Sequence, residues 1–185
     1  MLKYTLLGFL NYSPMTGYEL KQRIDRSTTH FWHAKLSQIY ITLKALEEAG
    51  EVTSLIHEQQ ERPDRRVYTI TLTGRTDFLS WLAEPYMSLS PKKETLILKM
   101  FFAAQADPKQ VLAQLQLQHD LHQKQLAYYR SGVGGFIETY IQQHPQLAKD
   151  ARMWEATRRF GEMYEEVYLR WIKEMMEEVN QGDET

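Results

Sequence analysis

The sequence predicts a mainly α-helical chain interrupted by one small β-hairpin, and three observations carry that class. Leu36, Ile39, Leu43 and Leu46 fall on one face of a helix, and Gly50 follows where such a helix needs a left-handed cap. Beyond Gly50 the period turns from helical to alternating: Val52, Ser54 and Ile56 share one face, then Tyr68, Ile70 and Leu72 share another. Residues 86–185 hold no strand signal and end in a long stripe of Met153, Phe160, Tyr164, Val167, Trp171, Met175 and Val179, recurring every three, four or seven residues.

In chain order, residues 2–12 read as a helix with Leu2, Leu6, Phe9 and Leu10 inward, ended by Asn11-Tyr12-Ser13-Pro14 because proline disfavours the helical region before it. Thr16-Gly17-Tyr18-Glu19 is a capping box, and the helix it opens runs to about Ser27 with Tyr18, Leu20 and Ile24 inward. Ser27-Thr28-Thr29 makes a turn, Phe31 and Trp32 add bulk, and the central helix follows. The polar run HEQQERPDRR, with Pro63, is the hairpin tip. Thr71 or Thr73 then caps GRTDFLSWLAEP, with Phe78, Trp81 and Leu82 inward and Pro85 closing the segment.

The second half starts with Ser90 as N-cap and Pro91 at the first helical position, leading into ETLILKMFFAAQ, which is apolar almost all round and is expected to be deeply buried. Asp107-Pro108 repeats the start signal for a helix to about Tyr129, whose face carries Val111, Leu115, His122, Leu126 and Tyr129. Gly132, Gly134 and Gly135 interrupt it. Phe136 to Gln143 forms a shorter segment before Pro145, and the last helix spans about Asp150 to Val179. Trp154, Tyr168, Ile172 and Met176 widen its stripe, so the helix needs two partner surfaces. One comes from its own chain and the second from another copy, which predicts a two-fold homodimer.

Helix, helix, helix, hairpin, helix within residues 1–85 is the order of a winged helix-turn-helix, followed at 86–185 by an α-helical dimerisation or effector domain. The length of 185 residues accommodates two such domains with cores of their own. Charge gives no general attraction to nucleic acid: the net formal charge is −2, and residues 1–85 carry ten Lys and Arg against ten Asp and Glu. Any DNA affinity must therefore come from where the charges sit. The absence of cysteine excludes disulfides, thiolate metal sites and a Cys nucleophile, and is compatible with the cytoplasm, where the protein is expected. The apolar start MLKYTLLGFLNYSP lacks a small-residue cleavage site and reads as a core helix; no stretch has the length of a membrane span, so no membrane partner is expected.

LLGFLNYSPMTGYELKQRI, FWHAKLSQIYITLKALEEAGEVT and RPDRRVYTITLTGRTDFLSWLAEP together resemble the PadR family of bacterial transcriptional regulators. The matching positions are Gly8, Pro14, Gly17-Tyr18-Glu19-Leu20, Gln38-Ile39-Tyr40, Leu43, Leu46-Glu47, Gly50, Tyr68, Thr71, Gly74 and Trp81-Leu82. One departure is Ile41, where many members carry proline. The remainder is similar, in length and pattern, to the longer helical C-terminal domain of one branch of that family. The resemblance implies a homodimer that binds an inverted-repeat operator in double-stranded DNA, mostly as a repressor, and responds to small aromatic or amphipathic effectors. The C-terminal helices would then hold two reading helices one DNA turn apart, roughly 34 Å.

Ser37, Gln38, Tyr40, Thr42 and Lys44 are the candidate groove contacts on the central helix: Gln pairs bidentately with adenine, Thr and Tyr meet a thymine methyl or a phosphate, and Lys neutralises a phosphate. A solvated helix face has the same composition, and Tyr40 has the alternative of lying against the first helix. Lys21 and Lys35 are candidate phosphate anchors. Arg62, Arg65 and Arg66 stand on the wing, offset by Glu58, Glu61 and Asp64; Arg65→Ala and Arg66→Ala are expected to weaken binding to every sequence and to reduce the salt slope.

Tyr128, Tyr129, Trp154, Phe160, Tyr164, Tyr168 and Trp171 are candidates for a ligand pocket at the dimer seam, or for a plain core or interface. The pairs His30/His33 and His119/His122 have i, i+3 spacing but no carboxylate or cysteine completing a metal site, and SGVGG at 131–135 has no strand before it and no Lys-Ser/Thr after it. No metal or cofactor is expected. The sequence has no nucleophile–base pair, so an enzyme ranks behind a DNA-binding regulator and behind a dimeric winged-helix adaptor that docks proteins.

Overall fold

The computed structural model describes residues 1–28, 31–58, 65–89 and 93–182. The chain divides into two compact units, Met1–Leu89 and Ser90–Thr185. Among the described residues, no helix is long and apolar enough to cross a membrane.

The first unit runs α1 (Leu2–Leu10), β1 (Met15–Thr16), α2 (Gly17–Ser27), α3 (Leu36–Glu48), β2 (Val52–His57), β3 (Arg65–Ile70) and α4 (Leu72–Ala83). It is a three-helix core with an antiparallel hairpin, to which β1 adds a short third strand in the order β1-β3-β2. Sequence patterning missed β1, because two residues are too few to show a period. The sheet register places Met15 opposite Tyr68 and Ser54 opposite Tyr68 from the other side. Leu6, Leu7, Leu10, Leu20, Ile24, Ile39, Leu43, Leu46, Val52 and Tyr68 form one buried cluster. The predicted capping box is formed: the Thr16 hydroxyl accepts from the Glu19 amide at 3.2 Å, and Glu19 accepts from the Thr16 amide at 2.8 Å. Gly50 has φ +70°, the left-handed conformation that ends α3. The Thr71 hydroxyl caps α4 through the Gly74 amide at 3.1 Å. Gly74 is required by proximity, since a Cβ there would lie 2.1 Å from the Glu51 carbonyl oxygen.

Five side chains expected inward point outward; Leu36 is one, since the first turn of α3 extends past the elements that bury Ile39, Leu43 and Leu46. Tyr18 is exposed, because the inner position at the start of α2 belongs to Gly17, beneath the Tyr40 ring. Leu72 is 82% exposed: the strand stops at Ile70, so Leu72 opens α4 and does not continue the alternating face. Leu82 is exposed because the inner stripe of α4 is Gly74, Phe78 and Trp81, with Trp81 stacked on Tyr4 at 4.6 Å. Ile56 lies outward beyond the part of β2 that covers the core.

The second unit contains α5 (Thr95–Phe101), α6 (Pro108–Ala127), α7 (Gly134–Gln143) and α8 (Ala148–Gly182). The Ser90-Pro91 start signal lies outside the described residues. Asp107 caps α6 through the Lys109 amide at 2.9 Å. Leu96, Val111, Leu115, Tyr168 and Ile172 make the core that joins α5, α6 and α8. Residues 128–133 do not break the helix at the glycines; they form one π-helical turn between α6 and α7. Arg158 of α8 holds that turn, donating to the Tyr129 carbonyl at 3.1 Å while bound by Glu155 at 2.7 Å and Glu162 at 2.9 Å. The expectation that α5 is deeply buried is overturned. Only Leu96 is buried, while Ile97, Leu98, Phe101 and Phe102 are exposed, because this unit covers one side of a helix that is apolar all round.

Candidate nucleic-acid interface

The outer face of α3 follows from its inner one. Ile39, Leu43 and Leu46 are buried, which turns Ser37, Gln38, Tyr40 and Lys44 outward and leaves Thr42 half-buried at the edge. Gln38 reaches back to the helix start, where its Oε1 accepts from the Lys35 amide at 3.2 Å. The Thr42 hydroxyl donates to the Gln38 carbonyl at 2.8 Å. Tyr40 lies against α2 and not against the first helix: its ring sits over Gly17, where a Cβ would come within 2.6 Å, and the side chain stays exposed at its outer edge. Beside the start of α3 runs a groove lined by Leu2, Trp32, His33, Ala34, Gln38, Ile41 and Thr42.

The cations divide into open and engaged. Lys35 is exposed at the N-terminus of α3, and Lys44 is exposed with a loose pairing to Glu48 at 3.8 Å. Lys21 pairs with Asp25 one turn along α2. Arg62 lies outside the described residues, as do Glu61 and Asp64. Arg65 and Arg66, on β3, are joined to carboxylates far away in sequence: Arg65 to Glu19 of α2, and Arg66 to Glu47 of α3 at 2.5 Å. Arg66 also donates from Nε to the Ser54 hydroxyl at 2.8 Å, and Ser54 donates to Glu47 at 2.6 Å. Its guanidinium lies 5.4 Å from the centre of the Tyr68 ring. The Ser54 hydrogen bond and the Arg66 charge hold the Glu47 carboxyl below the usual carboxylate range. For Glu19 burial acts upward, but the Thr16 hydrogen bonds and Arg65 outweigh it and the net shift is downward.

Sequence reading missed Glu19, Glu47 and Ser54 as partners of these arginines, since ion pairing between positions 19 or 46 residues apart leaves no local pattern. The signal available was a carboxylate near the end of the central helix and a serine on the facing strand.

The aromatic candidates of the second unit are scattered. Tyr129 is buried against Gly161, and Tyr168 is buried in the α5–α6–α8 core, with Tyr164 and Trp171 against it. Trp154 meets Tyr140 at 5.8 Å, edge to face. Tyr128 and Phe160 are exposed. The Tyr164 hydroxyl donates to Glu94 at 2.9 Å, and burial with that carboxylate drives its pKa well up. Of the histidines, His30 lies outside the described residues, His33 is exposed, and His119 sits 3.5 Å from Asp120. His122 meets the buried Glu165 at 2.5 Å and stacks on Tyr168 at 4.0 Å. Among the described residues, no three His, Cys, Asp or Glu converge as a metal site.

A three-helix core whose third helix turns a polar face outward, flanked by a β-hairpin, defines a winged helix-turn-helix protein. Residues 6–79 match the model of the Transcriptional regulator PadR-like family, and residues 92–180 match that of the Virulence activator alpha C-term. The chain therefore carries a PadR-like domain followed by a Virulence activator alpha C-term domain, and the proteins it matches are named as transcriptional regulators, not enzymes. It is 40% identical over 92 residues to a probable transcriptional regulator of Mycobacterium tuberculosis, covering 50% of this chain and 47% of that one. It is 31% identical over 102 residues to the negative transcriptional regulator PadR of Bacillus subtilis, covering 55% and 56%. The chain thus spans about half the length of these curated relatives. Its fold is that of Bacillus subtilis PadR solved in complex with operator DNA, with a TM-score of 0.83 at 21% identity over 96% of this chain and 97% of that one. The Vibrio cholerae virulence activator AphA shares the fold at a TM-score of 0.72 and 24% identity, over 98% and 99%.

Proposed function

We propose that this regulator binds DNA sequence-specifically as a homodimer on an inverted-repeat operator, represses from it, and is released by a small aromatic compound. The observation that carries the reading is the outward face of α3, where Ser37, Gln38, Tyr40 and Lys44 are presented together on a helix anchored from behind by Ile39, Leu43 and Leu46. In this reading α3 enters the major groove, with Gln38 and Thr42 at base edges and Lys35 and Lys44 at phosphates. Lys21, beside them on α2, exchanges Asp25 for a phosphate.

The dimer rests on α8. Met153, Phe160, Met163 and Val167 are all exposed and recur at seven, three and four residues, an apolar stripe that the other described residues leave open. A second copy supplies the matching stripe, because a two-fold interface is self-complementary. Support for an aromatic effector comes from Tyr128, Trp154 and Phe160, which are not sealed in the core, and from the p-coumaric acid complex solved for Bacillus subtilis PadR. Fluorescence titration with phenolic acids tests it, with saturable tryptophan quenching as the expected result.

Selection of bound duplexes from a random library, at fixed salt, tests the whole. Enrichment of a palindrome is expected. No enrichment would favour the adaptor reading, in which the winged unit docks protein. Given a recovered operator, Gln38→Ala should cost about 1–3 kcal/mol and relax preference at one base pair. An equal loss on every sequence would place Gln38 at the backbone instead.

A further inference from the structure

We infer that Glu47, through Arg66 and Ser54, is a positioning residue that fixes the wing against the reading helix, and that Arg66 serves this bond and not a phosphate. The inference deepens the DNA-binding reading and rests on it.

The geometry is a closed ring across three elements. Arg66 on β3 reaches Glu47 Oε2 with Nη2 at 2.5 Å and the Ser54 hydroxyl with Nε at 2.8 Å. Ser54 on β2 donates to the other Glu47 oxygen at 2.6 Å. Both carboxylate oxygens of Glu47 and two of the guanidinium donors are therefore engaged, and the residual face of the guanidinium lies over Tyr68, which is itself a core residue. Glu47 sits in the last turn of α3, and β2 and β3 are the two strands of the wing. The ring thus fixes the angle between the element proposed to read bases and the element that flanks it. Arg65, bound to Glu19 of α2, is a second tie on the same strand.

A single exposed ion pair would not do this, because it gains little over solvated charges. A charge-assisted ring with a shared hydroxyl and an aromatic floor restricts two strands at once, and its loss loosens the hairpin where it faces the end of α3. The competing account is that Arg66 is stored on Glu47 and transferred to a phosphate when DNA arrives. The two accounts differ in sign. If Glu47 positions the wing, removing its charge weakens DNA binding. If Glu47 stores Arg66, removing its charge strengthens binding.

The test uses the full chain and a duplex recovered by the wild-type protein from a random-sequence library, titrated at 50 to 200 mM salt. Glu47→Gln, Arg66→Ala and the double variant are each expected to weaken binding about three- to tenfold, with the double no worse than the singles and the salt slope unaltered. Tighter binding by Glu47→Gln, or a salt slope reduced by about 0.9 in Arg66→Ala, overturns the inference. So does wild-type affinity in Glu47→Gln. Amide hydrogen exchange of the free protein gives a readout without DNA: exchange in β2 and β3 should accelerate in Glu47→Gln while α1 and α2 stay protected. Unaltered exchange in the strands overturns the inference even if no duplex is ever recovered, an outcome that by itself would bring down only the DNA reading.

Discussion

The two units of this chain solve the same problem to different degrees. In the first, Leu6, Leu7, Leu20, Ile24, Ile39 and Leu43 are all fully buried, and the apolar faces of α1, α2 and α3 close on one another. In the second, among the described residues, only Leu115 and Ile172 reach full burial, while α5 shows Phe101 at 80% exposure and α8 shows Phe160 at 66%. Both units draw on the same kinds of apolar residue, so composition does not explain the contrast. The first unit packs short helices around a common centre, and each needs only one buried stripe. The second is built on a helix of 35 residues, which no neighbour of 20 residues or fewer covers along its length or on both sides. A core complete within one chain belongs to the unit proposed to read DNA, and an incomplete one to the unit proposed to pair.

Breaking each unit at its centre gives the largest expected effects. Leu43→Ala should destabilise the first unit by about 2–5 kcal/mol, through lost burial and the cavity left behind, in urea melts that do not depend on protein concentration. A loss below about 1 kcal/mol would show that this core is less complete than its burial indicates. For the second unit, Phe160→Glu combined with Val167→Glu should abolish self-association, at a cost of about 2 kcal/mol or more, and convert the species seen by sedimentation to monomer. The double variant should also lose the concentration dependence of the melting temperature. Unaltered sedimentation would move the dimer interface to another face.

A smaller effect tests how local the first unit's order is. Thr16→Ala removes half of the capping box and should cost about 1 kcal/mol, read as a lower urea midpoint with no change in association state. The smallest effect is common to both units. Glu47 and Glu19 in the first, and Glu155 and Glu162 in the second, are held below the ordinary carboxylate value of 4.5. For Glu155 the leading cause is the Arg158 hydrogen bond, and for Glu162 that of Arg130. A carboxyl depressed in the folded state contributes stability in full above its unfolded value, and loses it as pH falls below 4.5 through the folded value. Urea midpoints should therefore decline below that pH, and Glu47→Gln should flatten the decline. An identical acid slope in that variant would show that Glu47 is unpaired in solution.

The parts of the fold that were legible in the sequence are those set within a few residues. Thr16 and Glu19 face each other three positions apart, Gly50 supplies the one left-handed conformation that α3 needs, and Thr71 stands before α4. The spacing of Ile39, Leu43 and Leu46 defined the back of α3, and hence its front. Legibility ended where one element's neighbour decides exposure. Leu72 and Leu82 are as apolar as Leu43, and they lie outside because α4 turns Gly74, Phe78 and Trp81 inward. The glycines at 132, 134 and 135 signalled a break, but Arg158 bound to the Tyr129 carbonyl accompanies a π-helical turn in its place. The candidate interface divides likewise: Ser37, Gln38 and Lys44 follow from helical period, whereas the engagement of Arg65 and Arg66 by Glu19 and Glu47 does not.

The sequence by itself determined where the helices of the first unit start and stop, where the hairpin lies, and which side of α3 is polar, because caps, glycine conformation and periodicity act over a single turn. Only the tertiary structure decided which carboxylates hold the wing arginines and which apolar side chains remain uncovered. Those outcomes depend on distances between residues remote in the chain, and a residue type carries no information about which distant neighbour it will meet.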